Sequence, residues 1–542
     1  MSEEAGRASF KEWLCPDSRA KRFLYLTVSG ILSGICMAFP SVLGAIIEWV
    51  AFIPAALAVY SAIEKRVSLS AAYLGGFWLV YSQHVIVYHW FISFYPLDFT
   101  GMSKPAAAGV VVVAILGLSF LAAIFGGVWG LVTVLVSRLD TVRRYPVLVP
   151  VLASCGYVLN EWIRTKFWFG VPWGRLPLGQ LTEGTPIFSL SASWFGSYFV
   201  TLLIVLVSFL LAQAMRLGQF RLRGSVALAL VVANLACGVI IALIPTSAGE
   251  TVRVAAIQGN INSRDKWDPN VSSIEIYCDL SREAAMDGAE LIVWPETALP
   301  YEIAENGSVV VAISSISKEF GCAVIFGCFD YDDSGAPRNI LRMIDECGVL
   351  SDTVYVKRHL VPFGEYVPMR EIIMAVFPPL GEIGMLEEDL AAGDGSELYS
   401  ITVGENSFLA GGLICFDSIY EELAYSSAAD GADLLCVSTN DSWFEDSRAV
   451  YMHCAQSRLR AIETGLPIVR AANTGISAII TPKGNVVDDI APLVRGYIVS
   501  DVSVGAPGYN SEAASRALLC LCALYILSLP IASAVAGIKK KK

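Results

Sequence analysis

Three apolar segments typical of buried strands each end on a polar residue, and together these residues offer the chemistry of an activated thiol nucleophile. Glu296 follows the run Leu291–Trp294, and Cys415 ends the run GGLIC. Lys357 and Glu365 lie in the segment VYVKRHLVPFGEYVP. A thiol is a competent nucleophile only as the thiolate, which a nearby carboxylate base and an ammonium group would supply. The combination therefore predicts a thiol nucleophile with a base and a cation beside it.

Each of these residues also has an ordinary interpretation when it is taken alone. A single cysteine at the end of a Leu-Ile run is most often an inert small hydrophobic residue. Glu296 can cap a turn, and Lys357 can be a surface charge. The constellation is more specific than its members, because three groups of complementary chemistry follow three separate runs.

The elements that must position these residues have an α/β pattern. Short β-rich runs alternate with helix-like stretches, which implies a sheet covered by helices with functional residues where strands end. The predicted strands are Val252–Ile257, Leu291–Trp294, Ala323–Phe326, Phe408–Cys415, Leu434–Ser438, Pro467–Ala471 and Ile476–Thr481, and the predicted helices are Ser272–Met286, Val309–Phe320 and Ala449–Thr464.

The rest of the chain is typical of a polytopic α-helical membrane domain. Hydrophobic residues make up 55% of the sequence and charged residues only 16%, which a globular protein of this length does not show. Eight apolar runs approach the roughly 20 residues that a membrane-crossing helix needs. They are Phe23–Phe39, Leu43–Ile63, Leu69–Ile92, Ala106–Val136, Pro146–Trp162, Pro186–Met215, Ser225–Ile244 and Ala517–Val535.

Basic residues beside these runs predict the orientation, because Lys and Arg are enriched on the cytoplasmic side. They place both termini in the cytoplasm and the large segment between spans seven and eight outside it. We therefore predict a membrane domain at 1–248, an extracytoplasmic catalytic domain at 249–512, and an eighth span with a basic tail at 513–542. The bases used are Lys21, Arg22, Lys65, Arg66, Arg138, Arg143, Arg144, Arg216, Arg221, Arg223 and Lys539–Lys542.

Charge and cysteine usage exclude two classes of function. The segment Glu250–Glu512 holds 40 acidic and 16 basic residues, and this net charge of −24 argues against a nucleic-acid partner. The 13 cysteines and four histidines show no spacing typical of a zinc site. We expect no metal and no cofactor.

Five segments resemble, in order, the motifs of the nitrilase superfamily: WPET, KRHLVPFGEYVP, GGLICFDS, STNDSWFE and RAANTGIS. That superfamily is characterised by a Glu-Lys-Cys triad on a four-layered α-β-β-α sandwich. Within that superfamily the chain is most similar to the apolipoprotein N-acyltransferases. The similarity lies in the flanking spans, the motif HLVPFGEYVP and the membrane segment FGVPWGRLPLGQ. The resemblance covers nearly the whole chain.

The resemblance implies a role for each matching residue. It makes Cys415 the nucleophile, Glu296 the general base and acid, Lys357 the stabiliser of the oxyanion, and Glu365 a second, supporting carboxylate. Two aromatic residues match family positions near the active site, although ordinary core packing explains them equally well; these are Trp267 and Trp443.

The implied reaction moves a fatty acyl group from a membrane phospholipid, through a thioester on Cys415, to an amine. The acceptor would be the free α-amine of the diacylglyceryl-cysteine at the start of an apolipoprotein, in the last step of lipoprotein maturation. The expected partners are thus phospholipids and diacylated apolipoproteins. The expected location is the bacterial inner membrane, with the catalytic domain on the periplasmic side.

The sequence departs from the family pattern beside the nucleophile. Phe416-Asp417 stands where the family usually has Tyr-Glu, so a phenolic hydroxyl is lost and the carboxylate is one methylene shorter. The backbone N–H of Phe416 can still serve an oxyanion hole, because that role needs no side chain.

Two other functions remain open at this point. A membrane-tethered amidase of the nitrilase type would keep the triad and let water resolve the thioester. A non-catalytic lipid-binding or transport protein would use the outer domain as a sensor. Few ionisable residues lie inside the predicted spans, Glu48 and Glu161 being the candidates, whereas coupled transporters usually need several.

Overall fold

The computed structural model describes residues 13–97, 102–167, 170–245, 249–262, 272–304, 307–376, 388–404, 406–505 and 510–541. The chain forms two compact units. The first contains the helices before Ile244 together with the last helix of the chain, and the second is built from Ile244–Glu512.

The first unit is helical. Its principal helices are α1 (Arg19–Ala38), α2 (Val42–Ala51), α3 (Ile53–Glu64), α4 (Leu69–Val87), α5 (Lys104–Val136), α6 (Asp140–Arg144), α7 (Leu148–Ile163), α8 (Leu176–Gly179), α9 (Ala192–Phe195), α10 (Ser197–Leu217), α11 (Ser225–Leu243) and α17 (Glu512–Lys541), with a 3₁₀ turn at Tyr88–Phe94 and a π turn at Phe220–Gly224.

Five segments of the described chain are long and apolar enough to cross a membrane. All eight expected runs contain a helix, but α7 is shorter, and α1 and α4 carry serines, glycines and other polar residues among their apolar ones. The helix in the sixth expected run, α10, begins at Ser197 and not near Pro186. The five segments are Val42–Glu64, Lys104–Val136, Ser197–Leu217, Phe220–Leu243 and Glu512–Ile538.

Small residues allow α4 and α5 to approach closely. A Cβ atom added at Gly76 would lie 2.2 Å from the Gly126 carbonyl oxygen and 2.8 Å from the Gly130 backbone. Helices in membranes commonly associate through such small residues, because the backbones then gain close van der Waals contact.

The two acidic residues expected inside the spans are buried and hydrogen bonded. The Glu48 Oε2 atom accepts a 2.6 Å bond from Gln180 Nε2. Glu161 accepts bonds from the Leu176 backbone N–H at 2.9 Å and from the Thr201 hydroxyl at 2.6 Å. These contacts join helices that are distant in sequence.

The second unit contains two six-stranded mixed sheets. The first has the order β12-β1-β2-β3-β4-β5 and the second β11-β10-β9-β8-β7-β6, with β1, β2 and β3 parallel to one another and β7, β8 and β9 likewise. The strands are β1 (Glu250–Gln258), β2 (Leu291–Val293), β3 (Ala323–Tyr331), β4 (Pro337–Ile344), β5 (Tyr355–Val356), β6 (Leu398–Val403), β7 (Asn406–Ile414), β8 (Leu434–Thr439), β9 (Ile468–Ala472), β10 (Ser477–Ile480), β11 (Val486–Ile490) and β12 (Gly496–Val504).

The sheets share one hydrophobic core, to which both contribute fully buried side chains such as Val254 and Val469. A second core lies between the first sheet and two helices, α12 (Ser273–Met286) and α13 (Ser308–Phe320). Helices α15 (Glu421–Ala429) and α16 (Arg448–Thr464) lie against the second sheet. A short helix, α14, spans Arg370–Val376.

All seven predicted strands and all three predicted helices of this unit are present. The strands that the sequence pattern did not predict are β4, β5, β6, β11 and β12, which lie at and near the edges of the two sheets. The strand pattern alone implied one sheet covered by helices, whereas the structure has two sheets, the number that the family resemblance implied.

Candidate active site

A buried cluster of two carboxylates and one ammonium group lies at the ends of strands in the first sheet. Lys357 Nζ donates to Glu296 Oε1 at 2.8 Å and to Glu365 Oε1 at 2.7 Å. Only 1% of the Lys357 side chain is exposed. With both carboxylates ionised the three groups carry a net charge of −1, so the cluster can accept a proton.

Asn339 on β4 joins the two carboxylates a second time. Its Nδ2 atom donates to Glu296 Oε1 at 2.8 Å and to Glu365 Oε1 at 3.2 Å. Its backbone carbonyl accepts a 2.9 Å bond from the Lys357 N–H. This residue therefore fixes both the acid side chains and the backbone that carries the ammonium group.

Local backbone structure places Glu296 at the edge of the sheet. It follows β2 after Trp294 and Pro295, and its Oε2 atom accepts a 2.9 Å bond from the Asn440 backbone N–H. A Cβ atom at position 327 of β3 would lie 2.5 Å from the Thr297 nitrogen. Gly327 is thus required for this segment to cross β3 closely.

Cys415 occupies a sharp turn between β7 and the 3₁₀ segment Cys415–Ile419. Its φ angle is +48°, in the left-handed region that non-glycine residues rarely adopt. Strained turns of this kind occur at functional sites, and a nucleophile at a strand-to-helix turn projects from the sheet edge.

The charges of the cluster act on each other and on the thiol. Burial alone would lower the pKa of Lys357, but Glu296 and Glu365 raise it by more, so that pKa lies well above its usual value. Burial and the Glu296 carboxylate raise the pKa of the Cys415 thiol well above its ordinary value, although Lys357 opposes this. Cys415 therefore rests as a thiol at neutral pH and needs a base.

Asp417 holds the Cys415 turn against the segment after β5. Its carboxylate accepts bonds from the Tyr355 hydroxyl at 2.9 Å, the His359 N–H at 2.7 Å and the Ile414 N–H at 3.1 Å. Burial raises the pKa of Asp417 to about 6. The shorter carboxylate at this position is thus fully used in joining the Cys415 turn to the Lys357 segment.

A second charged cluster lies behind the Cys415 turn. Asp441 Oδ1 is 2.8 Å from His453 Nδ1, and Asp441 Oδ2 accepts a 2.9 Å bond from Arg470 Nη2. His453 Nε2 lies 3.1 Å from the Cys415 backbone oxygen and 3.1 Å from the Ser418 hydroxyl. The imidazole thus links Asp441 to the backbone of Cys415.

Asn473 orders the loop after β8 from the opposite side. Its Nδ2 atom donates to Asn440 Oδ1 at 3.1 Å, and its backbone N–H donates to the Thr439 carbonyl at 3.0 Å. A Cβ atom at Gly475 would lie 2.2 Å from Asp441 Oδ2, so only glycine fits there. These contacts join the motif STNDSWFE to the motif RAANTGIS beside the candidate site.

The Cys415 thiol and two side chains near it carry atoms of the kinds that bind metal ions. Ligand atoms of Cys415, Asp441 and His453 lie within 4.8 Å of one another. The imidazole and the carboxylate, however, are already bonded to each other and to the Cys415 backbone and Arg470. A metal ion would have to break these bonds, so the donor set fits a positioning network better.

The remaining residues expected at the site are placed as follows. Phe416 stacks edge-on against Tyr420 with ring centroids 5.4 Å apart. Trp443 lies half-buried in the turn after β8, and Trp267 lies outside the described residues. The structure thus brings Glu296 and Glu365 into direct contact with Lys357. It places the Cys415 thiol close enough for the charges of Glu296 and Lys357 to act on its pKa.

Sequence reasoning missed several residues of this region. Asn339 lies inside an unpredicted strand, so no strand-end signal marked it. Asp441 stands in the quoted segment STNDSWFE, where a polar run directly after a buried strand was a usable signal. His453 lies within a helix and Arg470 within a buried strand, where an ionisable side chain usually has a partner. The sequence pattern does not show which residue that partner is.

The raised thiol pKa predicts slow alkylation of Cys415. We expect the rate with iodoacetamide to keep rising about tenfold per pH unit through pH 9, because only the thiolate reacts. Peptide mapping after timed labelling would measure this, with the exposed Cys347 in the same chain as the reference. A Cys415 rate that levels off below pH 8 would contradict a resting thiol.

Comparison with known proteins places both units. Residues 253–506 match the carbon-nitrogen hydrolase family, and residues 29–210 match the N-terminal domain of apolipoprotein N-acyltransferase. The Glu296–Lys357 cluster and all the described strands, except for the first three residues of β1, lie within the first match.

Two relatives and one solved structure illustrate the similarity. The apolipoprotein N-acyltransferase of Geobacter metallireducens is 35% identical over 44% of this chain and 45% of its own length. That of Gloeobacter violaceus is 30% identical over 84% of this chain and 85% of its own length. The Saccharomyces cerevisiae Nit3 structure, from branch 10 of the nitrilase superfamily, is 18% identical, with a TM-score of 0.38 over 49% of this chain and 95% of its own. The chain belongs to the apolipoprotein N-acyltransferase family of the carbon-nitrogen hydrolase superfamily.

Proposed function

We propose that this protein transfers a fatty acyl group from a membrane phospholipid to the free α-amine of a diacylglyceryl-cysteine at the start of an apolipoprotein, through a thioester on Cys415. The observation that carries the proposal is the buried contact of Lys357 with Glu296 and Glu365 beside a strained cysteine turn. Membership of the family supports the choice of substrates.

Hydrogen-bond counting assigns the proton acceptor to one oxygen of Glu296. Each carboxylate oxygen has about two acceptor positions. Oε1 accepts from Lys357 and from Asn339, whereas Oε2 accepts one bond from the described part of the chain, that of the Asn440 N–H. The free position of Oε2 is therefore the one that takes the thiol proton.

The same counting gives Lys357 a role in stabilising charge. An ammonium group has three N–H donors, and Lys357 gives one to each of the two carboxylates. We assign the third to the oxyanion of the tetrahedral intermediate, together with the backbone N–H of Phe416. Donors held in place by buried partners stabilise such an oxyanion without reorganisation.

In the first half-reaction Glu296 takes the Cys415 proton, and the thiolate attacks the ester carbonyl carbon of the phospholipid. The tetrahedral intermediate collapses, the C–O ester bond breaks, and Glu296 returns the proton to the leaving alkoxide. The products are an acyl-thioester on Cys415 and a lysophospholipid. This is covalent catalysis, in which one difficult step is divided into two easier ones.

In the second half-reaction the α-amine of the apolipoprotein attacks the thioester carbonyl carbon. Glu296 takes a proton from the attacking nitrogen, the C–S bond breaks, and the proton passes to the sulfur, so the thiol is restored. The product is an amide. Because the two acyl-chain substrates use one site in turn through the covalent intermediate, we expect ping-pong kinetics.

For the membrane unit we propose eight crossings with both termini in the cytoplasm of a bacterium. For the second unit we propose the four-layered α-β-β-α order of the nitrilases. We place this second unit on the extracytoplasmic side of the inner membrane. Helix α1 has 20 residues and so spans about 30 Å, enough for the hydrocarbon core. Helix α4 has 19 and continues into the 3₁₀ turn. The alternation of basic loops supports this orientation.

The test is intact-protein mass spectrometry of the purified full-length enzyme after incubation with phospholipid vesicles. We expect the mass of one acyl chain on the wild type, lost on treatment with hydroxylamine. Cys415→Ala is expected to show no adduct, and Cys347→Ala, which removes an exposed thiol, is expected to keep it. Adding a diacylated lipopeptide with a free amine should then discharge the enzyme as the peptide gains one chain.

The outcome also decides between aminolysis and hydrolysis of the thioester. Release of free fatty acid, with no mass gain on the lipopeptide, would favour a nitrilase-type hydrolase. An adduct that persists in Cys415→Ala, or the absence of an adduct with any phospholipid, would overturn the proposed nucleophile or donor.

A further inference from the structure

A cavity of about 240 Å³ lies between four helices of the first unit, far in sequence from the catalytic residues. It is formed where α1 and α4 begin and where α3 and α5 end, so all its walls belong to one end of the bundle. Most of its lining is apolar and includes Phe23, Leu26, Val59, Trp129 and Val134.

Glycines help to create this space. Gly75, Gly76 and Gly130 line it, and the last two permit the close crossing of α4 and α5. Gly75 differs, because a Cβ atom there would meet only Leu26 Cδ1, at 3.4 Å. A side chain at position 75 would therefore enter the cavity without a collision with backbone.

Two arginines also line the cavity, at the first turn of α1. Arg19 lies over the Phe23 ring at 5.6 Å, and Arg22 donates to the Asp17 carbonyl at 3.0 Å. No acidic residue lines the cavity, and within the described part of the chain neither guanidinium forms an ion pair. The nearby Asp17 carboxylate pairs with Lys21 instead, at 3.5 Å.

Helix stability does not explain these two arginines. The amino-terminal end of a helix carries partial positive charge, so cations in its first turn are unfavourable. Basic residues at this end do agree with the expected cytoplasmic orientation, but orientation requires only that they lie near the membrane surface. It does not require that they line an apolar cavity.

We propose that this cavity binds an anionic phospholipid of the cytoplasmic leaflet, with the phosphate at Arg19 and Arg22 and part of one acyl chain between α1, α4 and α5. Basic pockets between membrane helices on the cytoplasmic side suit anionic head groups. The apolar lining suits a chain, which the same lipid supplies. The site is separate from the proposed acyl transfer and does not depend on it.

The test is native mass spectrometry of the full-length protein in detergent micelles, titrated with phosphatidylglycerol and with phosphatidylcholine of the same chains. Cys415→Ala serves as the background, so that no lipid is consumed. Removing both charges with Arg19→Gln and Arg22→Gln is expected to weaken phosphatidylglycerol binding about thirtyfold, from the usual contribution of a basic residue near an anionic surface. Phosphatidylcholine has no net charge, because its choline group balances the phosphate, so it should bind more weakly at the start and lose less than phosphatidylglycerol on this double change.

Two further variants separate the site from general charge and from packing. Arg143→Gln with Arg144→Gln removes two bases that do not line the cavity. Phosphatidylglycerol should bind this variant as tightly as it binds the Cys415→Ala protein. Gly75→Met should fill the cavity and weaken phosphatidylglycerol binding while leaving acyl-enzyme formation intact in the Cys415 protein.

Three results would overturn the proposal. Equal losses in the Arg19/Arg22 and Arg143/Arg144 variants would assign the effect to overall charge. Unchanged binding in Gly75→Met, with a folded protein, would make the cavity a packing defect. Displacement of the lipid by glycerol phosphate at equal concentration would show an anion site that does not use the chain.

Discussion

Replacing Lys357 by methionine is expected to lower the rate of acyl transfer by at least about a thousandfold. Loss of one oxyanion donor costs about 10²–10³ in rate, and loss of a working general base about 10²–10⁴. The variant affects both, because Glu296 and Glu365 would then face each other without their shared cation. Such a pair favours binding of a proton, and a protonated Glu296 cannot take the proton of Cys415.

The measurement is the rate of acyl-enzyme formation by intact-protein mass spectrometry, followed by transfer to a lipopeptide. We expect both half-reactions to be slowed, since they use the same groups. Lys318→Met, which removes an exposed lysine of α13, is the matched control and should retain full activity. A Lys357→Met enzyme that keeps its melting temperature and loses less than tenfold in rate would contradict the assigned role.

The sequence could predict the cluster because its members follow recognisable strands. Glu296 and Cys415 come directly after buried parallel strands, and parallel strands bring their carboxyl ends to one edge of a sheet. Lys357 follows a strand of only two residues, too short for any periodicity. Lys357 was predicted from the chemistry of its ammonium group and from the motif KRHLVPFGEYVP, because the strand pattern alone does not mark it.

The missing strands show where this reasoning fails. In β11 the residues Val487, Asp488 and Asp489 are exposed, so the run does not have the apolar character of a buried strand. In β4 the basic residues Arg338 and Arg342 interrupt the apolar ones. Strands at and near sheet edges need only one apolar face. A search for buried runs therefore finds the centre of each sheet and misses its margins.

Asn339 illustrates the consequence for the site. It reaches Glu296 only because β4 pairs with β3, which in turn pairs with β2. No local feature of the sequence carries that order of strands. The position of a residue in a sheet is set by pairing between distant segments, which a single sequence read by pattern does not contain.

The same limit applies to the network of Asp441, His453 and Arg470 behind the Cys415 turn, whose loss is expected to have the second large effect. Asp441→Asn is expected to destabilise the folded protein by about 3–5 kcal/mol, the usual cost of breaking a buried pair by removing one partner. The Arg470 guanidinium, fully buried, would lose its carboxylate partner. His453 would lose the partner that orients it toward the Cys415 backbone.

The pH dependence of this effect has a definite sign. The charges of His453 and Arg470 outweigh the effect of burial and lower the pKa of Asp441 from 3.8 to about 2. A carboxylate with a lowered pKa contributes stability that is present above pH 4 and is lost as the pH falls toward 2. The difference in melting temperature between wild type and Asp441→Asn should therefore be full at pH 7 and smaller at pH 3.

A double variant separates charge from shape. Arg470→Met in the Asp441→Asn background removes the unpaired guanidinium, so we expect it to recover part of the lost stability, because a buried pair can often be replaced by apolar groups at little cost. Asp333→Asn, at an exposed carboxylate, should change stability by less than about 0.5 kcal/mol. If the double variant is less stable than Asp441→Asn by the full cost of the Arg470 change alone, the two residues do not act as a pair. If stability recovers while acyl-enzyme formation stays slow, the role of the Asp441–His453 contact is to hold the Cys415 turn.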